Sequence, residues 1–261
     1  MEEVFVGRMP WRRVETAMKR GAVALFPMGS TEEHGPHSPM GDYLAAEEIA
    51  LRAARQTGDL VFPPLPFSYS EYFRNFPGTI TLSDACLYQF VGEVVECLRG
   101  SGFQHIILVN GHKGNEPSLL HLVRDIRREK KLLVPIVSPL GFGLTAQVNK
   151  EIYGDYKWGH GGEPMGSLMS YLFPGTVDTS LAEEFGNKGF RGLPAGLNGV
   201  VFDGVDVPMA VCMEDIAPAS GSLSDPRMAS PDRGKRIVEE SVSRMVRFIQ
   251  WFKEIDPEIK G

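Results

Sequence analysis

This chain lacks long apolar runs, paired cysteines and a basic stripe. No uninterrupted apolar stretch approaches the ~20 residues that span a bilayer, so no transmembrane helix is expected. Only three cysteines, Cys86, Cys97 and Cys212, occur among 261 residues. They form no CxxC pair and no even-numbered framework, so the thiols are read as reduced and mostly buried. The first residues, Met1-Glu2-Glu3-Val4-Phe5-Val6, show no basic region followed by an apolar core, and no secretory signal is expected. A net charge of -6, with no basic patch interleaved with aromatics, argues against nucleic acid as a partner. Also missing are a serine elbow, a phosphate-cradling loop and a dinucleotide fingerprint. Gly159-x-Gly161-Gly162 is rich in glycine but follows no strand. These absences lead to the expectation of a cytoplasmic protein without a membrane span.

What is present is an ordinary globular composition, 43% apolar and 23% charged, in a chain long enough to bury a large core. Short apolar runs alternate with helical periodicities. Trp11 to Lys19 reads as a short amphipathic helix, and the run at 22–27 as a buried strand. Tyr43 to Gln56 is rich in helix formers, with Gly58 near its stop. Leu60-Val61-Phe62 begins a strand that prolines end. Ser83-Asp84 caps a helix whose apolar positions Leu87, Phe90, Val91, Val94, Val95 and Leu98 share one face. His105 to Val109 is a second buried strand, Glu116 to Lys130 a helix opened by Pro117, and Leu132 to Val137 a third strand. Met165 to Leu172 and Lys235 to Ile255 are helical, while 186–233 is rich in glycine and proline. Strands alternating with helices predict an α/β fold, a three-layer α/β/α sandwich around a mainly parallel sheet. No repeat, low-complexity tract or linker divides it, so residues 1–261 form one domain.

Two strands run straight into polar turns. The first turn holds Glu32, Glu33, His34, His37 and Asp42 between glycines and prolines; the second is Asn110-Gly111-His112-Lys113-Gly114-Asn115. Ligands of parallel sheets bind beyond the carboxyl ends of the strands, so both turns are expected on one edge, close together. A third cluster is His160 with Glu163. Imidazoles and carboxylates without cysteine suit Zn2+, Mn2+ or Fe2+ better than Ca2+. Such a set can hold two ions ~3.5–4 Å apart, lowering the pKa of a bound water towards ~7. Glu33 and Glu116 are read as surface or capping groups, and His37 as a hydrogen-bonding residue of the loop.

The motifs Gly29-Ser30-x-Glu32-x-His34-Gly35-Pro36-His37-x-Pro39, Asn110-Gly111-His112-x-Gly114-Asn115 and His160-x-Gly162-Glu163, with Phe76-Pro77-Gly78-Thr79, occur in order along nearly the whole chain. Together they resemble the creatininase (creatinine amidohydrolase) family. The resemblance implies a three-layer fold, a centre of two divalent ions (Zn2+ or Mn2+, with Fe2+ compatible) and a homo-oligomer, often a hexamer. Glu32, His34, Asp42 and His112 match the family's metal ligands, with Asp42 as the bridge, and His160 matches its proton-transfer histidine. Creatinine-cleaving members carry a Glu two residues after the second-motif His, where this chain has Gly114. Members with glycine there carry a Glu in the third motif, which assigns the missing carboxylate to Glu163.

The departures concern substrate. The family's third motif continues Glu-Thr-Ser, whereas here it runs Met165-Gly166-Ser167. The aspartate lies one residue closer to the first motif than usual. Creatinine-cleaving members place an aromatic after the second-motif His and a tryptophan four residues before the third-motif His; here those places hold Lys113 and Tyr156. Lys113 suggests an anionic or polyhydroxylated substrate, with Tyr72, Tyr156 and Trp158 as further pocket residues. The reading is a dinuclear metal-dependent hydrolase that opens a small, cyclic amide or related carbonyl compound by attack of a metal-bound hydroxide, creatinine itself being disfavoured. Alternatives on the same site are C–C hydrolysis of a cyclic polyol diketone, deformylation of a formamide, and peptide cleavage. From another class comes a metal-stabilised binding protein without turnover.

Overall fold

A computed structural model describes residues 3–259. Its centre is a four-stranded, wholly parallel sheet in the order β2-β1-β3-β4: β1 Ala24–Met28, β2 Leu60–Val61, β3 Ile106–Asn110 and β4 Ile136–Val137. Every residue of β1 and β3 is buried, as both faces of a parallel sheet require. Alternate side chains serve two cores. Val23, Leu25, Ile107 and Val109 join one cluster, and Ala24, Phe26, Ile106 and Leu108 join the other.

The first core is closed by α2 (Asp42–Thr57), α7 (Met165–Leu172) and α9 (Pro231–Lys253). On α2 the side facing the sheet is almost all alanine (Ala45, Ala46, Ala50, Ala53, Ala54, with Ile49), which lets the helix lie close to the strands. The second core is covered by α1 (Trp11–Lys19), α3 (Asp84–Ser101) and α4 (Glu116–Lys130). The expected three-layer α/β/α sandwich is thus present. Two short helices, α5 (Pro139–Gly143) and α6 (Ala146–Tyr153), lie between β4 and α7.

Three expectations need revising. Only Ile136–Val137 of the 132–137 run pairs with β3; Leu132 and Leu133 bond the C-terminal segment at Glu258 and Pro257, because Pro135 has no N–H to extend the ladder. The glycine- and proline-rich stretch contains a separate antiparallel sheet, β5 (Ala195–Gly196), β6 (Gly199–Phe202) and β7 (Val205–Pro208), near a short helix α8 (Met213–Ile216). Its strands are too short to show a period. Lastly, Cys86 and Cys97 are exposed on α3, and all three thiols are free. No helix among the described residues is long and apolar enough to cross a membrane.

The helix pair α7–α9 is held in close approach at Gly234, where an added Cβ would overlap the Ser167 carbonyl. Gly234→Ala is therefore expected to lower stability by about 1–3 kcal/mol through overpacking, although alanine is the better helix former by about 1 kcal/mol. Urea unfolding followed by circular dichroism measures this; an unchanged or higher midpoint would remove the close-contact explanation.

Candidate metal centre

The register of β1 against β3 builds the site. Met28 pairs with Asn110, the last residue of each strand, and the Gly111 amide bonds the Met28 carbonyl at 2.8 Å. The two polar turns therefore leave the sheet side by side. Asp42 begins α2, and its Oδ1 accepts the Ser30 amide, closing the first turn on itself. The second turn is shaped by its asparagines: Asn110 Nδ2 donates to the His112 carbonyl at 2.7 Å, and Asn115 Nδ2 to Asn110 Oδ1 at 3.1 Å.

Two ligand groups result, Glu32/His34/His160 and Glu32/Asp42/His112, each with donor atoms within 4.8 Å of one another. Glu32, His34, Asp42 and His112 are all at most 5% exposed. The carboxylate common to both groups is Glu32, whereas the sequence resemblance gives the shared place to Asp42.

The chemistry of this donor set fits divalent ions. His112 Nε2 donates to the Tyr69 carbonyl at 2.9 Å, which turns Nδ1 towards Asp42 Oδ2 at 3.0 Å and Glu32 Oε2 at 3.2 Å. His34 Nδ1 likewise lies 3.2 Å from the Glu32 carbonyl, leaving Nε2 for the site. An imidazole fixed at one nitrogen by a backbone carbonyl is the usual support of a metal-ligating histidine. A nitrogen lone pair facing two carboxylates needs a proton or a cation between them. Burial disfavours the charged form of His112, but Glu32 and Asp42 outweigh it and hold the ring well above its ordinary pKa. Burial also opposes an ionised Glu32, yet His112 and His34 bring it below the usual carboxylate value. His34 is pushed down by burial and by His160, towards the neutral ring that binds metals.

His160 stands at the edge of this centre. Its ring stacks on Phe73 at 4.2 Å and on His34 at 4.9 Å. Nε2 lies 2.7 Å from the Glu33 carbonyl and 3.0 Å from Glu33 Oε1. Burial lowers its pKa, but the Glu33 carboxylate prevails and the net shift is upward. Glu33 is accordingly a buried site residue and not the surface group that its sequence suggests. Nothing in the spacing of the turn distinguishes it from a solvated neighbour of Glu32. His37 is buried with neither ring nitrogen partnered among the described residues.

Glu163 is 1% exposed and lies outside both ligand groups. Tyr153 donates to its Oε2 at 2.7 Å, while Ser167 at 2.6 Å and Arg233 at 3.1 Å donate to Oε1. At Gly114 an added Cβ would overlap His112 Nε2 and sit 2.8 Å from the Tyr69 carbonyl. The carboxylate that creatinine-cleaving relatives are expected to carry there cannot be added without moving this turn.

Glu32, His34, Asp42, His112, His160 and Glu163 all face one cavity of about 670 Å3. Lys113, Tyr72 and Trp158 line it as well. Tyr156 is not among the lining residues; it packs on the first core beside Tyr153, 6.3 Å between ring centroids. Among the lining residues that escape sequence reasoning are Leu197 and Asn198. They come from the turn between β5 and β6, far along the chain from the metal motifs.

A family model described as creatinine amidohydrolase, or creatininase, matches residues 7–249. The chain belongs to the creatininase family. The creatinine amidohydrolase of Pseudomonas putida is 29% identical over 260 residues, covering 92% of this chain and 94% of that one. The 3-dehydro-scyllo-inosose hydrolase of Thermotoga maritima is 27% identical, covering 97% and 85%. Solved creatininases in a Zn–Zn form and in a manganese form each superpose with a TM-score of 0.80 at 26% identity. The Zn–Zn form covers 98% of this chain, the manganese form 97%, and each is itself covered in full. This creatininase-family member is a hydrolase whose bond and substrate these relatives leave open.

Zn2+ at about 100 times its dissociation constant is expected to stabilise the protein by about 2.7 kcal/mol, seen as a raised melting temperature. Asp42→Asn should remove most of that rise; an equal rise in the variant would take Asp42 out of the binding set.

Proposed function

We propose that this protein is a dinuclear metal-dependent hydrolase acting on a small, cyclic amide or related carbonyl compound, with creatinine disfavoured. The observation that carries the reading is the pair of overlapping ligand groups at the floor of one cavity, with both ligating imidazoles fixed by backbone carbonyls. Glu32, His34, Asp42 and His112 would hold the ions, and Glu163 would supply a further carboxylate from the cavity wall. Bound there, two divalent ions would make water a nucleophile near neutral pH and polarise the substrate carbonyl.

The chain's own residues do the rest. Asp42 and Glu32 orient the donor set through the Ser30 amide and the Ser70 hydroxyl. His160, held at Nε2 by Glu33, moves the proton to the leaving nitrogen; its raised pKa favours the charged, proton-donating form. Phe73 covers one face of that ring and limits water there. Lys113, Tyr72 and Trp158 contact substrate. Lys113 where creatinine-cleaving relatives have an aromatic, Tyr156 where they have a tryptophan, and glycine at 114 support a substrate other than creatinine. We place the activity in the cytoplasm.

Assembly into a homo-oligomer, a hexamer by the family resemblance, is supported by the exposed apolar residues Phe202, Val205, Val207 and Met209 in and beside the antiparallel sheet. Light scattering measures the mass directly, and a monomer at micromolar concentration would refute the assembly.

His160→Ala should retain both ions and lose turnover by about 10²–10⁴-fold, the usual contribution of a positioned acid or base. Metal analysis that finds the variant short of an ion would make His160 a ligand instead. Glu163→Gln should lower metal content; an unchanged content by plasma emission spectroscopy would sink its role as the replacement carboxylate. Assays of cyclic amides, formamides and cyclic ketones with Zn2+- and Mn2+-loaded protein test the reaction itself, and turnover confined to the ketones would overturn the amide reading.

A further inference from the structure

We infer that the cavity selects substrates bearing a bulky apolar body, an aryl or branched-alkyl group attached to the reacting carbonyl compound, and that Leu197 and Leu223 are residues that select it. This rests on the hydrolase reading and narrows its substrate. The floor of the cavity is polar and charged, but the wall above it is not: Phe73, Leu120, Leu140, Met165, Leu197 and Leu223 come to it from six separate segments. Cavities of ~300–1,000 Å3 with apolar walls and a few convergent polar groups take ligands of drug size. At about 670 Å3 this one holds far more than a bare five-membered ring.

One wall residue, Leu120, is not part of the buried stripe of its own helix. On α4 that stripe is Leu119, Leu122 and Ile126, and Leu120 is 46% exposed. The turn between β5 and β6 consists of Leu197 and Asn198, because Gly196 pairs with Gly199. Two-residue hairpin turns favour glycine and asparagine, which explains Asn198 and leaves Leu197 unaccounted for by the turn. Leu197 and Leu223 both pack against the small apolar cluster that contains Phe73, and both also line the cavity, so this cluster carries its apolar surface into the wall. Leu223 lies on the loop that bonds the third motif, its amide donating to the His160 carbonyl at 2.8 Å. The wall is therefore tied both to the antiparallel sheet and to the proton-transfer histidine. Charge gives little discrimination, since Lys113 and Glu116, of opposite sign, both line the cavity and neither forms an ion pair among the described residues. A polyhydroxylated substrate would leave its hydroxyls unpaired against these leucines.

The test compares hydantoin with 5-benzylhydantoin, which share the reacting ring and differ only in the apolar body. Binding to the zinc-loaded full chain is read by tryptophan fluorescence, since Trp158 lies in the wall, and ring opening is read by chromatography. The benzyl compound should bind tighter by about tenfold or more, as burial of an aromatic group predicts. Leu197→Ala and Leu223→Ala should each narrow that ratio; two variants guard against one that fails to fold. A ratio near one, or no binding of either compound, overturns the inference even if some other amide is hydrolysed. Tighter binding of the benzyl compound without opening of either ring upholds the inference and counts against the hydrolysis proposed above.

Discussion

The parallel register of β1 on β3 is the constraint on which the rest of the molecule depends. Because Met28 and Asn110 end their strands as partners, the two chain segments that leave the sheet there share one small volume. A slip of one residue would turn Leu25, Phe26, Ile107 and Leu108 to the wrong cores, so the packing of both cores enforces the register. The same packing thereby holds Asp42 against His112. Stability and site geometry are thus specified by one set of contacts, with the alanine face of α2 bringing Asp42 close to the sheet.

Burying two carboxylates and two imidazoles together is costly unless their charges are matched. The structure matches them by fixing tautomers from outside: the Tyr69 and Glu32 carbonyls each hold one ring nitrogen, so the other nitrogen must face the carboxylates. Glu33 does the same for His160, using both its backbone and its side chain. The centre is set up before any substrate arrives, which is what electrostatic catalysis requires of a site.

Around this common floor the surroundings differ from those expected of a creatinine-cleaving enzyme. The tight turn at Gly114 leaves no room for a carboxylate, and Glu163 is held in the wall by Tyr153, Ser167 and Arg233. Leu197 and Leu223 bring an apolar surface from the small antiparallel sheet and its neighbouring loop. The floor comes from the family's motifs, while most of the apolar wall is assembled from segments that the motifs do not cover.

Much of this was legible in the residues alone. Apolar runs at strand length, helical periodicity on 87–98 and 116–130, and polar turns directly after two strands determined the layered fold and the edge on which the site lies. Those signals are local, and local signals survive in sequence. The same reading missed the hairpin at 195–208, whose strands are too short to show a period, and misjudged Glu33, which looks like any solvated glutamate until His160 is brought to it across 127 positions. It also placed Tyr156 in the pocket, whereas the fold lays its ring on the core. The sequence determined which residues could bind a metal. Only the tertiary structure decided which of them meet, which carboxylate lies between the two groups and what kind of wall stands over them, because those are contacts between segments whose separation along the chain carries no periodic trace.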